Sequence, residues 1–138
     1  MIALAPIIER VKAAGYGHVE GLFEFAQLKS APRNLPAVFV IPNRTDPQGS
    51  PRIGAYDQKV TFGFSVVIVM AMPGRDPSAA SERLRHELRR IVDALFGWKH
   101  PEATSGCFLA GGRLLDLDAA TVSWAQDFTT HTRERKTT

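Results

Sequence analysis

Apolar and polar side chains alternate along residues 60 to 71, and this alternation predicts one long β-strand. The bulky apolar side chains at every second position are Val60, Phe62, Phe64, Val66, Ile68 and Met70. A period of two is that of a strand, whose successive side chains point to opposite faces. At about 3.3 Å per residue this strand would be roughly 40 Å long, against a compact domain diameter of roughly 37 Å. We therefore expect it either to bend, with a bulge at Gly63, or to leave a strand edge exposed.

Two segments have the apolar spacing of amphipathic helices instead. Leu4, Ile7, Ile8 and Val11 predict a short helix over residues 4 to 14. A longer helix is predicted over residues 79 to 96, because its apolar residues fall on one face: Ala80, Leu84, Leu88, Ile91, Val92 and Leu95. Asp76 or Ser78 can cap this helix, and Gly97 ends it.

The remaining apolar segments predict further strands. Residues 37 to 41 form a continuous apolar run that Pro42 ends, as in a buried central strand. Toward the end of the chain we expect strands at residues 107 to 110, 113 to 118 and 122 to 133, with a bulge or turn at Gly111-Gly112. Residues 16 to 28 are ambiguous: Val19 and Leu22 could belong to a short extended piece, and Phe23, Phe25, Ala26 and Leu28 to a short helix.

Residues 43 to 57 are rich in Gly, Pro, Asn, Asp and Ser and predict a long loop at the tip of a hairpin. Structureless connections longer than about 12 to 15 residues are uncommon in compact domains unless they bind something. Two interpretations stay open: a linker with no task, or a segment that a neighbouring subunit orders.

Composition describes an ordinary globular chain. Its 138 residues suit a single domain over residues 1 to 133, followed by a flexible basic tail over residues 134 to 138. No apolar run approaches the roughly 20 residues that span a bilayer, so we expect neither a signal peptide nor a membrane contact. The net charge is +3, but the 17 basic and 14 acidic residues are interleaved, which is a weak signal for nucleic-acid binding.

Candidate chemistry is sparse, and the sequence predicts neither an enzyme nor a cofactor. The four histidines lie far apart and lack ligand-spaced partners, which argues against a metal site. Cys107 is the only cysteine and opens an apolar strand, so we expect a buried thiol. Asp116 and Asp118 share one strand face, where they could bind a cation or share a proton, or simply lie in solvent beside a turn.

The order of these segments resembles the tail terminator proteins of long-tailed, siphovirus-type bacteriophages and prophages. The likeness covers residues 2 to 133 and depends on the succession of segments: the first helix, Pro-Ala-Val-Phe-Val-Ile-Pro at 36 to 42, Asp-Gln-Lys-Val-Thr-Phe-Gly-Phe-Ser-Val-Val at 57 to 67, the long helix with Leu-Phe-Gly-Trp, and Gly-Gly-Arg-Leu-Leu-Asp-Leu-Asp at 111 to 118 ahead of Trp-Ala-Gln-Asp-Phe at 124 to 128. One departure is Ala119-Ala120, where an acidic or glycine turn is expected.

The resemblance implies an α+β fold, with an N-terminal helix and one long amphipathic helix packed on a mainly antiparallel sheet with a long hairpin. It also implies a hexameric ring at the head-proximal end of the tail in the virion, assembled in the host cytoplasm. Such a ring ends polymerisation of the tail tube and offers a surface for head joining. The implied partners are further copies of the chain, the tail tube protein, a head–tail connector protein and DNA passing transiently through the lumen. The family has no catalytic residues to carry over.

Within that role we hypothesise two groups of contact residues. Subunit or tube contacts are expected at Arg44, Arg52, Ile53, Tyr56, Met70 and Met72. Contacts with the lumen or a neighbouring ring are expected at Arg75, Arg89 and Arg90, although arginines bordering a helix face also lie along the core edge with solvated heads.

The rival interpretation is a small basic nucleic-acid-binding module that uses the helical arginines and residues 131 to 136. It requires aromatic side chains on an exposed sheet face. Phe62 and Phe64 share their predicted face with Val66 and Ile68, which favours a core instead. A small enzyme is the weakest of the three interpretations.

Overall fold

A computed structural model describes residues 1–28, 35–49, 56–72, 76–118 and 120–136. The elements in chain order are α1 (Ala5–Lys12), β1 (Val19–Glu20), α2 (Leu22–Ala26), β2 (Ala37–Pro47), β3 (Tyr56–Ala71), α3 (Pro77–Leu95), β4 (Phe108–Leu117) and β5 (Thr121–Lys136). The strands form one sheet in the order β1-β2-β3-β5-β4, antiparallel except for the β1–β2 pair. The α+β class is therefore confirmed.

The predicted long strand is the centre of this sheet. β3 begins at Tyr56, four residues before the predicted start, and pairs with β5 along its whole length to Ala71. The expected bulge at Gly63 was assigned to the wrong strand. The register shift lies in β2 between Pro42 and Arg44, so the extra residue is Asn43, opposite an unbroken β3. Because Gly63 has no side chain, it leaves room for the Asn43 side chain. A Cβ added at Gly63 would overlap that side chain.

Both predicted helices are present and pack on one face of the sheet. Pro6 lies in the first turn of α1, and the Asp76 side chain caps α3 by accepting a hydrogen bond of 3.0 Å from the Ser78 N–H. Their buried positions join those of β2, β3 and β5 in a main core that includes Ile7, Val11, Val38, Phe64, Ile91 and Phe128. Among the described helices, none combines the length and the apolar character needed to cross a membrane.

A smaller core lies on the opposite face of the sheet. Its buried residues are Ala37, Phe39, Val67, Val69 and Ala125. The short helix α2 resolves the ambiguity of residues 16 to 28 and packs Phe25 against Phe39, with ring centroids 5.2 Å apart. β3 is buried on both faces from Phe62 to Met70, so two-sided burial begins before Val67, where the sequence pattern placed it, and ends before the exposed Ala71.

Two strands extend beyond their predicted ends. β2 continues past Pro42 to Pro47, so part of the predicted loop over residues 43 to 57 is strand. β5 continues to Lys136, and residues 134 to 136, assigned to a flexible tail, pair with the start of β3. The physical reason is a set of charged contacts, described below, that hold Arg133 and Arg135 to β3.

Candidate functional site

β4 is the most exposed element of the molecule, because all ten of its residues face solvent. Its five large apolar residues are each between 41% and 55% exposed: Phe108, Leu109, Leu114, Leu115 and Leu117. β5 pairs with one side of β4, and no strand in the described ranges pairs with its outer edge. A long apolar strand edge attracts another chain, so an assembly surface is the physical interpretation of this element.

A row of polar side chains crosses the face of the sheet that lies away from α1 and α3, and it links β2, β3, β5 and β4. The Asn43 side-chain amide donates to Ser65 Oγ over 2.9 Å, and the Ser65 hydroxyl donates to Asp127 Oδ1 over 2.5 Å. Arg113 of β4 donates to the other carboxylate oxygen of Asp127 over 3.0 Å. Ser65 is fully buried, so this row satisfies its hydroxyl and also holds β4 in register on β5.

The far ends of β3 and β5 form a two-stranded ribbon that extends past the paired parts of β2 and β4. We define the ribbon end as residues 56 to 59 and 132 to 136. Asp57 accepts two hydrogen bonds from the Arg133 guanidinium, at 2.6 and 3.1 Å, and one from Arg135 at 3.3 Å. The Arg133 hydrogen bond, with the charges of both arginines, holds the pKa of Asp57 below its ordinary value.

Two of the residues predicted at contacts are exposed on β2 and β3: Arg44, opposite Gly63, and Tyr56, at the ribbon end. Tyr56 begins β3 opposite Lys136 and is 65% exposed. Arg44 is also exposed and pairs with Asp46 over 2.7 Å along β2. Both side chains are accessible to a partner.

The other residues of that group lie elsewhere. Met70 is only 2% exposed and belongs to the core, so its side chain is not available at the surface. Met72 lies just beyond β3, where its N–H bonds to the Ala120 carbonyl over 2.9 Å, and is partly exposed. Arg52, Ile53 and Arg75 lie outside the described residues.

Arg90 was predicted at a lumen contact, but its side chain is held within the subunit. Its guanidinium pairs with Glu87 over 3.1 Å, donates to the Ala14 carbonyl over 2.8 Å, and lies 4.4 Å from the centre of the Tyr16 ring. Glu87 is itself buried and needs this charge. Arg90 therefore links α3 to the chain after α1.

Arg89 faces solvent on the outer side of α3 and pairs with Asp93 over 3.0 Å. Beside it, an open groove of about 680 Å³ lies between α3 and β5. Its apolar lining is Leu84, Leu88, Val92 and Trp124. The indole Nε1 of Trp124 is buried without a hydrogen-bond partner among the described residues.

The polar groups singled out in the sequence have structural partners. Cys107 is buried, as predicted, and burial raises the pKa of its thiol to about 11. Asp118 accepts hydrogen bonds from the N–H groups of Ala120 and Thr121, both at 2.7 Å, and these bonds lower its pKa. Asp116 accepts one from the Leu117 N–H. The described residues contain no cluster of three or more potential metal ligands.

Sequence reasoning missed the exposure of β4. It predicted strand in this region but assigned no contact to it. The available signal was composition: residues 108 to 117 carry five large apolar side chains, yet two glycines and the Leu114-Leu115 pair interrupt the alternation expected of a strand with one buried face.

Together, a well-packed sheet and an uncovered apolar edge strand are typical of a protein that assembles with other chains. Comparison with protein families agrees. The family described as phage tail terminator protein matches residues 1–138, and the chain belongs to that family. It is therefore a structural protein of the phage tail, as the sequence resemblance suggested.

A solved structure has a similar fold. It is a chain from a particle titled "Virion of native gene transfer agent (GTA) particle", with a TM-score of 0.51 and 11% sequence identity. The alignment covers 90% of this chain and 84% of that chain. No curated protein sequence matches the chain. The structural likeness supports the fold.

Proposed function

We propose that copies of this chain form a ring, expected to be a hexamer, that caps the tail tube at its head-proximal end. The ring ends polymerisation of the tube and forms the surface on which the head joins, through the tail tube protein on one side and a head–tail connector on the other. DNA passes through its lumen. Family membership supports the tail location.

The observation that carries the ring is the uncovered β4 strand. A subunit that stayed alone would expose five large apolar side chains on one unpaired strand edge, which is an aggregation hazard. Cyclic assembly covers such surfaces in a closed object of defined size. A closed ring also has a fixed number of copies, since it leaves no free strand edge for further copies of the chain.

The nucleic-acid-binding alternative loses its main support. Phe62, Phe64 and Phe128 stack on one another within the core and are at most 1% exposed, so they offer no platform for bases. On α3, Arg90 is bound to Glu87 and to the Ala14 carbonyl, and Arg89 is paired with Asp93.

Tail assembly in the absence and presence of the chain tests this proposal. Without it, we expect tubes of excessive and variable length that do not join heads; adding the purified chain should restore a uniform length and head joining. Tubes of normal length that join heads without the chain would contradict the proposal.

A further inference from the structure

The two outer edges of the sheet differ in what they offer a new strand. Backbone N–H groups point alternately to the two sides of a strand. In β2, Val38 donates outward to the His18 carbonyl of the segment leading into β1, whereas the Gln48 N–H after the strand points inward to Lys59 of β3. With the bulge at Asn43, this alternation means that the backbone nitrogens of Pro42, Thr45 and Pro47 point to the outer side of β2, away from β3. Proline has no N–H, so this edge cannot support a regular ladder.

β4 lacks that protection. The Asp118 N–H bonds to the Thr121 carbonyl over 3.0 Å, which fixes which residues point toward β5. From this bond and the register, the outward residues of β4 are Leu109, Gly112, Leu114 and Leu117. The Leu117 N–H is bonded to the Asp116 side chain, but the N–H groups of the other three face an edge without a strand partner in the described structure. β4 is therefore the open edge of the sheet.

The two ends of β5 differ in charge: acidic residues lie near its start, and mostly basic residues lie at its end. Asp116 and Asp118 lie where β4 turns into β5. At the opposite end of β5, the ribbon end contains four basic and two acidic residues, a net charge of +2: Lys59, Arg133, Arg135, Lys136, Asp57 and Glu134. Arg133 and Arg135 both contact Asp57, at 2.6 and 3.3 Å, and Lys136 lies beyond them at the end of β5. One copy thus presents an apolar strand with Asp116 and Asp118 at its end, and another presents a basic, extended ribbon.

We propose that the outer edge of β4 takes up the ribbon end of a second copy of this chain. The contact is head-to-tail, as a closed ring requires, and in this respect the inference depends on the proposed function. The free edge of β5 at residues 132 to 136 supplies backbone groups for the outward residues of β4. Lys136 faces Asp116, and Tyr56, which pairs directly with Lys136 in the ribbon end, lies on the same face.

The lengths of the two surfaces are compatible. β4 is about 33 Å long and the five β5 residues of the ribbon end about 16 Å, so the ribbon covers roughly half of the strand. Exposed Leu114, Leu115 and Leu117 lie in the half that carries Asp116. The apolar side chains supply the favourable burial, and the charges set the direction of the contact.

Charge reversal with rescue tests the contact directly. Asp116→Lys and Lys136→Asp are each expected to weaken self-association of the full-length chain about 5-fold, the order of one exposed ion pair at low salt. The two substitutions combined should restore it. Sedimentation velocity of the free chain and quantitative cross-linking on assembled tails give the readout. Asp116→Asn keeps the hydrogen bond to the Leu117 N–H and separates loss of charge from loss of structure.

Matched proline variants test the asymmetry of the edges. Leu114→Pro removes an outward N–H of β4 and should abolish the association, whereas Leu114→Ala should only weaken it. Thr45→Pro removes an outward N–H of the β2 edge and should leave association unchanged. Circular dichroism of each variant checks the fold. Association unaffected by Asp116→Lys, by Lys136→Asp and by Leu114→Pro would overturn the inference, as would a wild-type chain that stays monomeric both in solution and on tails.

Failure of the proposed function has a different signature. If tube length and head joining do not depend on the chain, the capping role fails, while the charge-reversal series still reports on self-association. If the chain caps tubes but the combined Asp116→Lys and Lys136→Asp variant is not rescued, the capping role stands and this contact is wrong.

Discussion

The hydroxyl of Tyr16 donates a hydrogen bond of 2.5 Å to Oε2 of Glu87, and the same oxygen accepts one of 3.1 Å from Arg90. Glu87 thus has two partners for a carboxylate that is buried on α3. This group joins the long helix to the chain between α1 and β1. It contributes to the fold that presents β4, and it explains why the Arg90 guanidinium is held against Glu87 although its side chain is 33% exposed.

Removing the Arg90 side chain should destabilise the subunit. Arg90→Ala leaves Glu87 without its cationic partner, and we expect a loss of about 3 kcal/mol in the free energy of unfolding, since breaking a buried pair costs this much. Arg89→Ala is the matched control on the same helix and should change stability by less than about 0.5 kcal/mol, because its pair is exposed. Urea unfolding measures both, and equal effects would contradict the assignment.

Alkaline pH should destabilise the fold through Tyr16. The pKa of Tyr16 is raised above its ordinary value of 10.0. The main cause is burial of the phenol, and the second is the hydrogen bond that it donates to Glu87. The neutral phenol therefore stabilises the folded state fully below pH 10, and this contribution is lost as the pH rises toward the higher folded pKa. Tyr16→Phe should lower stability at pH 7 and flatten its decline above pH 10. An unchanged alkaline decline, measured by urea unfolding across pH, would exclude Tyr16 as its source.

The thiol of Cys107 should be unreactive in the folded protein. Its pKa is raised to about 11 by burial, so both access and thiolate population are low at pH 8. We expect labelling by a thiol reagent to proceed only after denaturant is added. Labelling of the native chain as fast as that of the unfolded chain would show that the start of β4 opens readily.

Gly106 should tolerate no side chain. An added Cβ would lie 2.7 Å from the Gly97 carbonyl oxygen and 2.9 Å from its carbon, both backbone atoms. Gly106→Ala should therefore cost at least about 2 kcal/mol by displacing the segment that leads into β4. Gly49→Ala is the control, because nothing lies within 4 Å of its added Cβ. Thermal unfolding of the two variants compares them, and similar midpoints would refute the close packing.

Local patterns predicted the elements whose residues are sorted by one buried face. The alternation in β3 and the helical spacing of α3 follow directly from burial on the sheet, so both were predicted correctly. Pro42 was misleading, because a proline whose nitrogen faces outward interrupts no ladder and leaves β2 free to continue to Pro47. The extra residue at Asn43 depends on cross-strand register, which no local pattern contains.

The candidate site was harder to predict, for a physical reason. Leu109, Leu114 and Leu117 are of a residue type that buried strands also contain. Only the order of strands in the sheet makes β4 an edge strand. Likewise, the fate of Arg90 depends on Tyr16 and Ala14, which lie far away in sequence. Long-range contacts decide which apolar and charged side chains remain for a partner.

Imaging of intact tails built with this chain tests the central claim most directly. The account predicts a single closed ring at the head-proximal end, expected to have six copies, in which this fold fits the density and β4 of each copy lies against its neighbour. Copies distributed along the tube, or a head-proximal end without this chain, would contradict it.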